Sequence, residues 1–309
     1  MRFAPSFPAR RLTTFAAALV AGLAFSATTL AAERTVQTAF GDVKIDGTPS
    51  RVVTLGENAL DATASLGLKP VGALASRGGT DIPAYLKDKT GTIALVGTVR
   101  EPNLEAILAQ QPDVILAATG LTKEMYEKLS LIAPTIVPVG DSFAPWQDTL
   151  RSYAQALNKT EEADKRIAEV DARITELAKR MPADTTVSVV RWNPQGPQIM
   201  SSHLFVGALL KSLGLKPNAL ADTIKDRPHS DILSLENLNK ADGDWMFLAT
   251  LNPEGKKALE DASKQPAFKR LKAAQADQVV SVDGLIWSSS SGYLAAQRIL
   301  DDVEKTLAK

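Results

Sequence analysis

Ser65-Leu66-Gly67-Leu68-Lys69-Pro70 recurs residue for residue at Ser212-Leu213-Gly214-Leu215-Lys216-Pro217. Each copy ends a helix-like stretch, residues 59–68 and 205–215. Outward from the two copies the order of events also matches. An apolar strand precedes the helix, and a Leu-Glu segment precedes a second apolar strand. In the first half, Leu104-Glu105-Ala106-Ile107-Leu108 is followed by Pro112-Asp113-Val114-Ile115-Leu116. In the second, Leu235-Glu236-Asn237-Leu238-Asn239 is followed by Asp244-Trp245-Met246-Phe247-Leu248. The shared plan predicts an α/β fold of two similar lobes. A cleft between lobes is a common place for a small ligand.

The 309 residues suffice for about two domains. Arg10 and Arg11 precede an apolar run from Phe15 to Phe25, and small residues follow up to Ala31 and Ala32. A basic start, a short apolar run and a small-residue cleavage site describe a secretory signal peptide. The run falls short of the roughly twenty residues that a membrane-spanning helix needs. The paired arginines leave both the general and the twin-arginine export route open. With no cysteine in the chain, there is no disulfide framework, thiolate metal site or lipid-modified cysteine. The expected location is therefore the periplasm, free of an anchor after cleavage. Arg2, Arg10 and Arg11 lie in the leader, which takes the 35 basic residues to 32 against 35 acidic ones. That balance gives no electrostatic support for nucleic-acid binding.

Strand-like runs at residues 51–55, 71–75, 93–96, 114–118 and 135–139 alternate with helical patterns, which predicts successive βα units. Alternation around Gly41-Asp42 predicts a hairpin ahead of them. Residues 158–180 read as one long helix. Thr160 offers an N-cap, Glu161 and Glu162 suit the first turn, and Ile167, Val170, Ile174 and Leu177 form an apolar stripe. Glu161/Lys165, Glu162/Arg166, Glu169/Arg173 and Glu176/Arg180 have the favourable i,i+4 order. The second half resumes with strands at 186–191, 198–201, 245–249 and 279–282, and closes on an amphipathic helix over 293–307. The expected organisation is a signal peptide (1–32), an N-terminal lobe (33–157), a connecting helix (158–181) and a C-terminal lobe (182–309).

The stretch VGTVREPNLEAILAQQPDVILA at 96–117 resembles the first-lobe signature of the periplasmic iron-siderophore binding proteins. These are receptors of ABC importers, in a group that also has cobalamin- and haem-binding members. RVVTL at 51–55, IAPTIV at 132–137, SLENL at 234–238, VSVDGLIW at 280–287 and AAQRILDD at 295–302 extend the resemblance over nearly the whole mature chain. The pattern is nearest to the ferric-citrate and ferrichrome binders. The resemblance implies two lobes joined by a long helix, a shallow cleft holding a ferric siderophore, and delivery to an inner-membrane ABC permease. It also implies that one acidic residue on each lobe meets the permease. The matching positions, Glu105 and Glu236, are those that the internal repeat aligns.

A ferric chelate arrives with its iron already coordinated, so its receptor needs cations and aromatic surfaces. Arginine suits carboxylate, hydroxamate and catecholate oxygens through two parallel charge-assisted bonds. Arg100, Arg77, Arg191 with Trp192, and Trp287 stand at or just past strand ends, where an α/β lobe presents its loops to a ligand. Arg227 and His229 share the loop that the resemblance places at the second-lobe ligand site. Glu57 and Asn58 follow the first strand and border the cleft.

Two histidines and scattered tyrosines give no set of metal ligands, and no nucleophile elbow, Walker loop or dinucleotide fingerprint is present. The expectation is a non-enzymatic monomer with no catalytic residues and no resident cofactor, the iron coming within the ligand. The alternatives are haem or a corrinoid in the same fold, with His229 as the only obvious axial ligand, or a periplasmic hydrolase acting on the chelate.

Overall fold

The computed structural model describes residues 1–4 and 33–308; the leader reading lies outside them. Strands β1 (Arg34–Thr38) and β2 (Gly41–Ile45) form the expected antiparallel hairpin, with Ala39 and Phe40 at its turn. Next come β3 (Val52–Leu55), α1 (Glu57–Ser65), β4 (Gly72–Ala75), a 3₁₀ turn (Ala84–Leu86), α2 (Lys87–Thr90) and β5 (Ala94–Thr98). The first lobe finishes with α3 (Leu104–Ala109), β6 (Val114–Ala117), α4 (Lys123–Ser130), β7 (Thr135–Ile136) and α5 (Trp146–Ala156). The long helix is α6 (Thr160–Ala178). Beyond it lie β8 (Thr186–Asn193), β9 (Gly196–Ile199), α7 (Phe205–Ser212), β10 (Lys216–Pro217), α8 (Ala219–Thr223) and a 3₁₀ helix (Leu235–Ala241). The chain ends with β11 (Trp245–Thr250), α9 (Pro253–Ser263), α10 (Pro266–Lys269), α11 (Lys272–Gln275), β12 (Val279–Asp283), α12 (Gly284–Ser288) and α13 (Tyr293–Leu307).

The lobes share one topology. The first sheet is all parallel, in the order β5-β4-β3-β6-β7. The second runs β10-β8-β11-β12, also parallel, with β9 antiparallel on β8. Matching β3 to β8 matches β4 to β10, β6 to β11 and β7 to β12.

The repeated hexapeptide performs the same task twice. Gly67 (φ 78°) and Gly214 (φ 82°) follow their helices in the left-handed region. Gly67 N–H donates to the Ala64 carbonyl and Leu68 N–H to that of Thr63 (both 3.1 Å); Gly214 donates to Lys211 and Leu215 to Leu210 (2.9 and 3.2 Å). These are paired Schellman closures, which satisfy carbonyls that a helix end leaves without partners. The aspartates ahead of β6 and β11 are equivalent too. Asp113 accepts from the backbone N–H groups of Ser50 (2.7 Å) and Arg51 (3.0 Å), and Asp244 accepts from that of Thr186 (2.7 Å). Each ties the start of its lobe's central strand to the next strand.

One apolar cluster runs from Val36 and Leu116 in the first lobe through Val170 on α6 to Phe247 and Leu300 in the second. Lys159, not Thr160, occupies the cap position of α6, and Thr160 is its first helical residue. Of the four expected ion pairs, Glu162–Arg166 forms at 2.7 Å. Arg173 and Arg180 turn instead to α13, where Arg173 meets Asp301 (2.7 Å) and Glu304 (3.1 Å) and Arg180 meets Glu304 (2.6 Å). A carboxylate on a packed neighbouring helix offers a partner that periodicity along α6 alone does not reveal. Among the described residues, no helix is long and apolar enough to cross a membrane.

Candidate functional site

The carboxyl ends of β3, β4, β5 and β6 open on the same space as β8 and the residues after β12. Between them lies a cavity of about 600 Å³. This is where parallel α/β sheets present loops, and it is lined from both lobes. Gly56 makes the first approach possible. At φ 156°, a Cβ there would lie 2.9 Å from the Ala118 Cβ and the Asn58 Oδ1, so the loops after β3 and β6 could not sit side by side.

Arg77, Arg100, Arg191 and His229 all reach this cavity. Arg77 follows β4, and its backbone N–H donates to the Glu57 carboxylate (2.8 Å). Arg100 stands in a turn in which Thr98 and Glu101 exchange backbone hydrogen bonds (3.0 and 3.1 Å). Gly97, at φ 115°, permits this turn, since a Cβ would come within 2.5 Å of the Glu101 carbonyl oxygen. Arg191 lies within β8, half-buried; its Nη2 donates to the Gln198 Oε1 (3.1 Å), and its buried Nε has no partner among the described residues. Gln198 is the hub that sequence reasoning missed. Its Oε1 also accepts from Asn193 (2.7 Å), and its amide nitrogen lies 2.9 Å from the His229 Nδ1. The alternation of β9, which turns Gln198 toward its β8 neighbours, was the available signal.

Three of the other candidates sit differently. Successive side chains of a strand point to opposite faces, so placing Arg191 at the cavity sends Trp192 away from it. Trp192 is 2% exposed and packs against Phe268, ring centroids 6.1 Å apart. Trp287 lines the cavity, from the short helix α12 and not from an open loop. It is 0% exposed, stacked on Phe247 at 4.4 Å, with its indole N–H donating to Asp302 (2.8 Å). The serines at 288–291, which follow it, line the cavity. Arg227 is not part of the lining and pairs at 2.9 Å with Asp231, both exposed in the same loop; its neighbours Pro228 and His229 reach the cavity.

Three guanidinium groups therefore face one carboxylate, Glu57, around the lining. Burial lowers the proton affinity of Arg191, and repulsion from Arg77 on the opposite lobe adds to this. An arginine remains charged under such pressure, so an incoming anion relieves both effects. Among the described residues no group of three or more His, Asp or Glu side chains could hold a metal ion. The chemistry on offer is recognition of anionic oxygen. Glu105, in the first turn of α3, and Glu236, in the first turn of the 3₁₀ helix, are exposed and have no side-chain partner among the described residues.

Two α/β lobes, a helical strut and a cationic cavity between them define a solute-binding protein. The family model described as periplasmic binding protein matches residues 52–284, and the chain belongs to that family. It is 33% identical over 288 residues to the probable siderophore-binding lipoprotein YfiY of Bacillus subtilis, covering 89% of this chain and 88% of that one. It is 29% identical over 279 residues to the Fe(3+) dicitrate-binding periplasmic protein FecB of Escherichia coli, covering 88% and 89%. The structure of Staphylococcus aureus SirA complexed with staphyloferrin B superposes with a TM-score of 0.77 at 28% identity, covering 88% of this chain and 97% of SirA.

Proposed function

We propose that this protein is a non-enzymatic periplasmic receptor that captures a ferric siderophore in the inter-lobe cavity and delivers it to an inner-membrane ABC importer. The observation that carries the reading is the convergence of Arg77 and Arg100 from one lobe with Arg191 from the other on a cavity with a single carboxylate. That charge suits a chelate rich in carboxylate or other anionic oxygens, in keeping with the ferric dicitrate and staphyloferrin B named for two similar proteins. The iron comes as cargo, so the protein needs no resident cofactor. It acts as a monomer.

Trp287 lines the cavity and serves as a reporter of its occupancy. Purified protein titrated with ferric citrate, a neutral ferric hydroxamate, a ferric catecholate and haem should show tryptophan quenching by the anionic chelates. Quenching by haem alone would overturn the siderophore reading. Chromatography of the recovered chelate should return it intact, whereas cleavage products would make the protein a hydrolase.

Glu105 and Glu236 are the proposed permease contacts. Their exposure on equivalent segments of the two lobes supports this role. Replacing either with Ala should leave chelate affinity unchanged while reducing uptake by cells. Loss of affinity in either purified variant would contradict the docking role.

A further inference from the structure

Asp61 is a wholly buried carboxylate on α1 that takes no part in the cavity lining. It belongs to the first lobe, yet it accepts backbone hydrogen bonds from the start of the last helix, α13. Leu294 N–H donates to its Oδ1 at 3.0 Å and Ala295 N–H to its Oδ2 at 2.9 Å. The Tyr85 hydroxyl, from the 3₁₀ turn Ala84–Leu86, donates to Oδ2 at 3.1 Å. A helix N-terminus carries unpaired N–H groups and partial positive charge; here the capping group comes from a residue 233 positions away in sequence.

The backbone is built for this contact. Gly292, at φ 140°, immediately precedes α13, and a Cβ there would fall 2.4 Å from the Asp61 Oδ1. Just before it stand the serines at 288–291 that line the cavity from the second lobe. At the other end of the contact, Glu57 and Asn58, one turn ahead of Asp61 on α1, line it from the first. One carboxylate thus joins two walls of the cleft.

We infer that Asp61 is a positioning residue that clamps α1 to the start of α13 and so sets the geometry between the serine wall and the first-lobe wall of the cleft. The inference uses the proposed ligand class only as a probe, and part of its test needs no ligand.

The titratable groups around the clamp are few. Tyr85 faces Asp61 directly, and Glu57 lies one turn away on the same helix. Tyr293, at the start of α13, donates to Glu169 of α6 (2.7 Å), with Arg166 5.2 Å from its ring centroid. Burial pushes Asp61 up to about 7, against the opposing pull of its hydrogen bonds to Leu294, Ala295 and Tyr85. The closed clamp therefore holds a proton that an opened, hydrated carboxylate releases. Raising the pH from 6 to 8 loosens it.

The test compares the full mature chain with Asp61→Asn, Asp61→Ala and Tyr85→Phe. Amide exchange over residues 288–296, corrected for intrinsic rates, should quicken at least tenfold in Asp61→Ala. In the wild type it should quicken further from pH 6 to 8, whereas Asp61→Asn should lack that pH step. Ferric citrate should bind Asp61→Ala at least fivefold more weakly, with the arginines untouched. If Asp61→Ala does not fold, Tyr85→Phe, which removes one donor, should still quicken exchange two- to threefold. Unchanged exchange in the variants that fold, or a pH step retained in Asp61→Asn, would overturn the clamp. If no chelate bound the wild type, the receptor reading would fail, while the exchange arm would still decide the clamp.

Discussion

The two lobes share a strand order, a helix closure and an anchoring aspartate, yet they contribute unequally to the cavity. The first lobe supplies Arg77 and Arg100 on exposed loops; the second supplies Arg191 from within a strand, half-buried and braced by Gln198. The scaffold is duplicated and the chemistry is not. Parallel sheets fix where loops emerge, whereas the side chains on those loops are free to differ. The second lobe also replaces the α3 helix with a 3₁₀ turn around Glu236, so even the proposed docking carboxylates sit on different local geometry.

The largest expected effect separates the arginines. A charge-assisted bond is worth about 1.5–3 kcal/mol, and Arg191 is already partly desolvated, its Nε unpaired among the described residues. Arg191→Ala should weaken ferric citrate binding by about 10- to 100-fold, measured by fluorescence titration. Arg77→Ala, on a solvated loop, should cost only a few-fold. Equal losses would mean that burial does not distinguish the two lobes' arginines.

A smaller effect tests the anchoring aspartates. Removing either carboxylate exchanges its hydrogen bonds to backbone N–H groups for water, so Asp113→Ala and Asp244→Ala should each cost about 0.5–1.5 kcal/mol in urea unfolding. Asp244 adds a pH signature. The hydrogen bond from Lys272, and then that from the Thr186 N–H, hold its pKa below the ordinary aspartate range. Its stabilisation is therefore present above the unfolded carboxylate's pKa and is lost as pH falls through the folded pKa. Asp244→Asn should lose less stability than the wild type between pH 5 and 3. An unchanged acid slope would remove Asp244 from that account.

Residue patterns carried most of the fold. The hexapeptide and its flanks located the equivalent elements, because helix closure and strand entry are local and written in Gly, Leu and Pro. The site was legible only in part. Arg77, Arg100, Arg191 and His229 stand where strand ends are readable, and all reach the cavity. Trp192 could be excluded only by knowing which face of β8 looks inward. Arg227 lies outside the lining, paired with Asp231 on the surface, whereas Trp287 lines the cavity from α12 while stacked on Phe247. Asp61 left no sequence signal, since its partners are backbone amides more than two hundred residues away.

The smallest effect bears on the duplication itself. At both Gly67 and Gly214, an added Cβ would meet nothing within 4 Å. Ala substitution therefore introduces backbone strain alone, about 1–2 kcal/mol for a left-handed residue, partly offset by the lower entropy of the unfolded chain. Gly67→Ala and Gly214→Ala should each lower unfolding free energy by about 1 kcal/mol and agree within a few tenths. Their sites lie in separate lobes with no shared partner, so the double variant should show the sum. A large inequality would mean that the two closures differ in strain or in unfolded-state structure, and that the repeated hexapeptide conserves a shape without conserving its energetics.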